Sequence, residues 1–212
     1  NVYLDAKLSR EELAARGIRI GSRAVMSRQR KAPLVLGDYV CGWGLDDKGA
    51  VAIMLGVMER LAPLSGDLPV DVYFAATSEE EVAAVSGPFV AARIPADTLI
   101  ALEVGPVADE YANANSAQPV IWYQDAFHTY NKALCDGFMS LAETLGFGAQ
   151  PVVYSTAGTD ASAARRYGQV GSIACLAFPV ENSHGYEIAH IEGMCNTARL
   201  LEAFLRSPGV NR

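Results

Sequence analysis

Residues 49–62 constrain the fold more than any other part of the chain. They hold Val51, Ile53, Met54, Leu55, Val57, Met58 and Leu61, apolar at nearly every angle around a helix. A helix with no face for water needs protein on both sides, so a layered domain is expected. Two runs rich in apolar and β-branched residues follow it, 70–76 (VDVYFAA) and 98–104 (TLIALEV), and read as central strands covered on both faces. Residues 152–154 and 172–177 are weaker strand candidates, and helices are expected over about 130–145, 160–167 and 194–205, with Pro208 and Gly209 past the last one. Strands alternating with helices predict an α/β class, a three-layer αβα sandwich around a central mixed sheet, over residues 36–212. Residues 1–35 have a different texture. A short capped helix is expected at 8–12 and a turn-bounded strand at 17–21, the edge of a second, small β domain. The chain starts at Asn1 without a methionine and opens into Val2-Tyr3-Leu4, a possible strand, which reads as a truncated or processed beginning.

Composition narrows the partners. Half of the 212 residues are hydrophobic, enough for a large core without disulfide staples. The formal net charge of -7 argues against nucleic acid or an anionic membrane as main partner, because neither is attracted to an acidic surface. Cys41, Cys135, Cys175 and Cys195 show no C-x-x-C spacing, so they read as buried thiols in a reducing compartment rather than a disulfide framework or a thiolate zinc site. With no uninterrupted apolar stretch of membrane-spanning length and no signal-peptide pattern, a cytoplasmic location is expected.

The polar residues that carry chemistry fall at the ends of the expected strands. Asp46-Asp47-Lys48-Gly49 precedes the apolar helix, Glu79-Glu80-Glu81 follows the 70–76 run, Glu103 ends the 98–104 run, and His184 comes after the 174–178 run. Taken singly, each has a plain reading: an Asp before a helix is an N-cap, three glutamates are a solvated face, and one histidine is a surface residue. Together they have a common destination, because open α/β sheets gather ligands beyond the carboxyl ends of their strands. His190 and His128 do not fit a metal spacing and read as structural or surface residues. Residues 155–160 (STAGTD) lack a G-x-S-x-G pattern and read as a turn capping the next helix.

In this order the motifs resemble the TET-type aminopeptidases, also called glutamyl aminopeptidases or endoglucanases, within the two-metal exopeptidases. Leu45-Asp46-Asp47-Lys48-Gly49 resembles L-D-D-R-x-G, Thr77-Ser78-Glu79-Glu80-Glu81-Val82 resembles T-x-Q-E-E-V, and Gly158-Thr159-Asp160-Ala161 resembles G-T-D-A. Pro179 to His184 has the spacing of P-x-R-Y-x-H, and residues 4–21 are similar to the segment where that family's chain leaves a PDZ-like β domain.

The resemblance implies that Asp46 bridges two divalent ions, that Glu81 and His184 complete one site, that Glu103 serves the other, and that Glu80 is the general base. It also implies a cis peptide between Asp46 and Asp47. Oxygen and imidazole donors suit zinc first, with cobalt or manganese as alternatives. The implied activity is removal of N-terminal residues from short peptides by a homo-oligomeric enzyme. Departures from the pattern are Glu103 in place of Asp, Lys48 in place of Arg, Glu181-Asn182 in place of Arg-Tyr, and loss of the glycines after the paired glutamates. The family's other ligand histidine, in an H-x-D motif, has no counterpart, so one metal site is expected to be a ligand short. Three readings therefore stand at this level: an aminopeptidase, a related two-metal deacylase or carboxypeptidase, and a protein inactive for want of that histidine.

Overall fold

The chain divides into two compact units, Asn1–Ala32 and Pro33–Arg212. A computed structural model describes residues 5–207, so the expected strand at Val2-Tyr3-Leu4 and the Pro208-Gly209 stop lie outside the described residues. In the first unit the expected short helix is α1, Arg10–Ala15. Ser9 caps it: its Oγ accepts from the Glu12 amide at 3.2 Å, while the Glu12 carboxylate accepts from the Ser9 amide at 2.8 Å. Residues 17–21 are not a strand. Gly17 and Gly21 both take positive φ, and among the described residues this unit offers no partner strand to form a ladder.

The second unit holds β1 (Leu34–Leu36), β2 (Tyr39–Trp43), α2 (Leu45–Leu61), α3 (Glu80–Ala83), α4 (Ser86–Ala91), β3 (Thr98–Val107), β4 (Val120–Gln124), α5 (Lys132–Thr144), β5 (Gln150–Val153), α6 (Asp160–Arg166), β6 (Ser172–Glu181), β7 (Tyr186–His190) and α7 (Ile191–Arg206). Its seven strands form one mixed sheet in the order β1-β2-β7-β6-β4-β5, with β3 also on β6. The β3/β6 and β4/β5 pairs are parallel and the others antiparallel. β6 is the spine. Its residues from Ile173 to Val180 are buried without alternation, as a strand covered on both faces must be. Helices α2, α5 and α7 pack together on the sheet, with the Phe138 and Phe204 rings stacked 4.3 Å apart between α5 and α7. Helix α6 packs on β3 and β6 with α4 against it, completing the αβα layers.

Three expectations about packing are corrected. The apolar helix buries Ala50, Ile53, Val57 and Leu61, while Val51, Leu55 and Met58 face outward, so it is covered on one side. Leu45–Asp67 has the length and apolarity of a membrane span, and within it Ala50, Ile53, Val57 and Leu61 belong to the hydrophobic core. Residues 70–76 join no ladder. That segment and β3 both line a cavity of about 390 Å³, through Val72, Phe74, Leu99 and Leu102 among others. Finally, Cys195 is an exposed thiol, whereas the other three cysteines are buried and free as expected.

Helix α2 meets the sheet at Gly49, where a Cβ would stand 2.4 Å from Cζ of the buried Phe178. Gly56, in the same helix, has nothing within 4 Å of such a Cβ. Gly49→Ala should therefore destabilise the chain by about 1–3 kcal/mol through overpacking. Gly56→Ala should stabilise it by up to about 1 kcal/mol through helix propensity. Urea unfolding of both variants checks the opposite signs.

Candidate metal centre

Four separate segments deliver the acidic side chains to one place. After β2, Gly44 takes a left-handed conformation (φ 76) and turns the chain into α2, whose first turn is interrupted by non-helical backbone at Asp46 and Asp47. The Asp46–Asp47 peptide is cis, as expected. Residue Glu79 is also left-handed (φ 61), and this turn starts α3, so Glu80 and Glu81 are consecutive on a helical turn rather than on opposite faces of a strand. Glu103 sits within β3, opposite Ala177 of β6, rather than at its end. His184 lies in the β6–β7 connection with φ 66.

The geometry forms two groups that share Asp46. One contains Asp46, Glu81 and His184, the other Asp46, Asp47 and Glu103, and in each the donor atoms lie within 4.8 Å of one another. His184 Nε2 is 3.4 Å from Asp46 Oδ2 and 3.1 Å from Glu81 Oε2. Asp46, Glu80, Glu81, Glu103 and His184 all line one cavity of about 280 Å³. Glu79 is exposed and does not line it.

Residues that sequence reasoning did not assign hold these groups. Ser183 Oγ donates to Asp46 Oδ2 at 2.8 Å. Asp160, on the first turn of α6, accepts from Thr77 Oγ1 at 2.6 Å and from the Gly87 amide at 3.2 Å, so it ties down both ends of the segment carrying Glu80 and Glu81. Glu187 of β7 accepts from the amides of Leu45 and Asp46 at 2.5 and 3.3 Å. Asp47 was adjacent to a predicted ligand, which is a usable signal. Glu187 looks like any polar residue of a short strand and gave none. His190 and His128 take structural places: His190 precedes α7 and its ring packs edge-on to Tyr39, and His128 Nδ1 is 2.7 Å from the Thr129 carbonyl.

The electrostatics are one-sided. Among the described residues no lysine or arginine pairs with Asp46, Asp47, Glu80, Glu81, Glu103 or Glu187. Burial, followed by the charge of Asp46, pushes the Asp47 carboxyl up to about 9, and its Oδ1 is buried without a hydrogen-bond partner. Burial and then the Asp160 and Glu81 charges raise Glu80 to about 7. Glu81 is raised by burial and by Asp46, and Glu103 is raised well above the usual range by burial and by Asp47 and Asp46. Mutually repelling carboxylates, an imidazole and an orphaned carboxylate oxygen fit a divalent cation set in hard oxygen and nitrogen donors.

A model of the M42 glutamyl aminopeptidase family matches residues 1–200. YhfE of Bacillus subtilis (strain 168), which bears the name of an aminopeptidase, is 25% identical over 203 residues, covering 95% of this chain and 57% of that protein. Aminopeptidase APDkam598 from the archaeon Desulfurococcus kamchatkensis is 25% identical, with a TM-score of 0.79 over 94% of this chain and 57% of that one. The Pyrococcus horikoshii TET1 peptidase, which can assemble into a tetrahedron or a large octahedral shell, is 27% identical, with a TM-score of 0.75 over 83% of this chain and 53% of that one. The chain thus spans a little over half the length of these relatives.

Raised carboxyl pKa values set the sign of the pH dependence. The folded chain binds protons more tightly than the unfolded one from the ordinary carboxyl range up to about 7 for Glu80 and about 9 for Asp47. Their stabilisation is complete below the unfolded values and is lost as pH rises through the folded ones. With chelator present, the melting temperature should fall between pH 5.5 and pH 8.5, and added zinc should recover it at pH 8.5. A chelated protein that melts higher at pH 8.5 contradicts this electrostatic account.

Proposed function

Because the chain belongs to the M42 glutamyl aminopeptidase family, we propose that it is the metal-binding catalytic part of a two-metal aminopeptidase that removes N-terminal residues from short peptides. The observation that carries this reading is the sharing of Asp46 between two donor groups, one of them containing His184. Asp46, Glu81 and His184 would hold one ion, and Asp46, Glu103 and the neighbouring Asp47 the other. Zinc suits the oxygen and imidazole donors best, with cobalt or manganese as substitutes. When bound, the ions supply Lewis acidity to the scissile carbonyl and to the attacking water.

The chain's own residues do the rest. Glu80 belongs to neither donor group, lines the shared cavity and has a carboxyl raised to about 7, which suits a group that takes a proton from water and returns it to the departing amine near neutral pH. Trp122, Phe127 and Ala157 give the cavity apolar walls beside these acids, a surface for the side chain of a peptide's first residue. Assembly into a homo-oligomer is proposed by likeness to the shell-forming TET1 peptidase.

The three neighbouring glutamates separate the roles. Glu80→Gln should retain metal while peptide turnover falls by roughly 10²–10⁴, the usual contribution of a positioned acid-base group. Glu81→Gln should lose metal from the site containing His184, and Glu79→Gln should change neither property. Metal analysis alongside hydrolysis of aminoacyl amides checks all three. Activity abolished by Glu79→Gln and untouched by Glu81→Gln would move the assignment by one residue.

A further inference from the structure

Glu187 is a buried carboxylate that no part of the proposed reaction uses. It lies on β7 opposite Gly42 of β2 and is 1% exposed. Burying a carboxylate away from a cation is costly unless hydrogen bonds replace its water. Here backbone amides replace it. Oε2 accepts from Leu45 N at 2.5 Å and from Asp46 N at 3.3 Å. Leu45 and Asp46 begin α2, where backbone amides lack intrahelical acceptors. The N-cap residue is Gly44, whose left-handed turn is essential to the path and which has no side chain with which to cap. A side chain from another strand caps this helix.

The location makes the cap more than structural. Asp46 is the residue common to both donor groups, and His184 is the imidazole of one. The carboxylate therefore grips the backbone of Asp46 from a strand position three residues after His184. Asp46 is held from its other end by Ser183, the neighbour of His184. We infer that Glu187 is a positioning residue, which fixes the backbone at Leu45 and Asp46 so that the Asp46 side chain stands ready for a divalent cation. This inference rests on the proposed metal reading only for its purpose; the grip on the backbone is testable without metal.

The test compares the full chain with Glu187→Ala and Glu187→Gln by amide hydrogen exchange and by cobalt(II) affinity, the latter read from the visible absorption of the bound ion in competition with a chelator. In the parent chain without metal, the Leu45 and Asp46 amides should be protected. In Glu187→Ala they should exchange freely while the amides of β6 stay protected, and cobalt affinity should fall by roughly 10–100-fold, the usual effect of removing a group that orients metal ligands. The cobalt spectrum should also change shape. Glu187→Gln keeps a carbonyl oxygen able to accept both amides and should restore protection and most of the affinity. Free exchange at Leu45 and Asp46 in the parent chain, or unchanged protection and affinity in Glu187→Ala, overturns the inference. A parent chain that protects these amides yet takes up no cobalt overturns the metal reading instead, leaving the backbone grip established.

Discussion

Asp46 belongs to two acidic neighbourhoods at once, and much of the domain serves to hold it there. Its carboxylate is within hydrogen-bonding distance of Ser183, close to Glu81 and His184 on one side and to Asp47 and Glu103 on the other. Left in water these groups would separate, since like charges at such distances repel and burial adds a desolvation cost. They stay together because each is fastened to a different rigid element: the β2–α2 turn, the start of α3, the body of β3 and the β6–β7 connection. Burial first, and then the neighbouring charges, raises the carboxyl pKa values of Asp47, Glu81 and Glu103, and a divalent cation would offset both.

The sheet explains why those elements are rigid. β6 is buried on both faces and is flanked along its length by β3, so Glu103 is placed by a register that a slip of one residue would turn to the opposite face. β7 pairs with both β2 and β6, which is how Glu187 reaches the turn after β2. Gly49 lets the first turn of α2 approach Phe178 of β6 closely. The Asp160 carboxylate, accepting from Thr77 and Gly87, then brings the Glu80–Glu81 turn against α6. Packing and the geometry of the acidic site are thus set by the same contacts.

Much of this was legible in the sequence. The run that became β3 is unbroken and apolar, the weaker candidate at 172–177 became part of β6, and the periodic segments that became α5, α6 and α7 were readable within a few residues, because local pattern and tertiary burial agree there. Residues 70–76 carry the same strand pattern but join no ladder, since composition says what a strand can be and only neighbours make it one. Short strands such as β1 and β7 have too few residues for periodicity to speak. Of the site, Asp46, Glu80, Glu81, Glu103 and His184 were readable from motif order, and they do converge on one cavity. Ser183, Asp160 and Glu187 act by touching residues far away in the chain, a property that a local pattern cannot carry.

The central claim is that Asp46, Glu81 and His184 form a site for a divalent ion. Anomalous diffraction at the zinc edge, on crystals equilibrated with zinc, tests it most directly. The account requires a zinc peak bounded by those three side chains in the parent chain and its disappearance in Asp46→Asn. A parent chain with no zinc between them, or a peak that persists unchanged in Asp46→Asn, contradicts it.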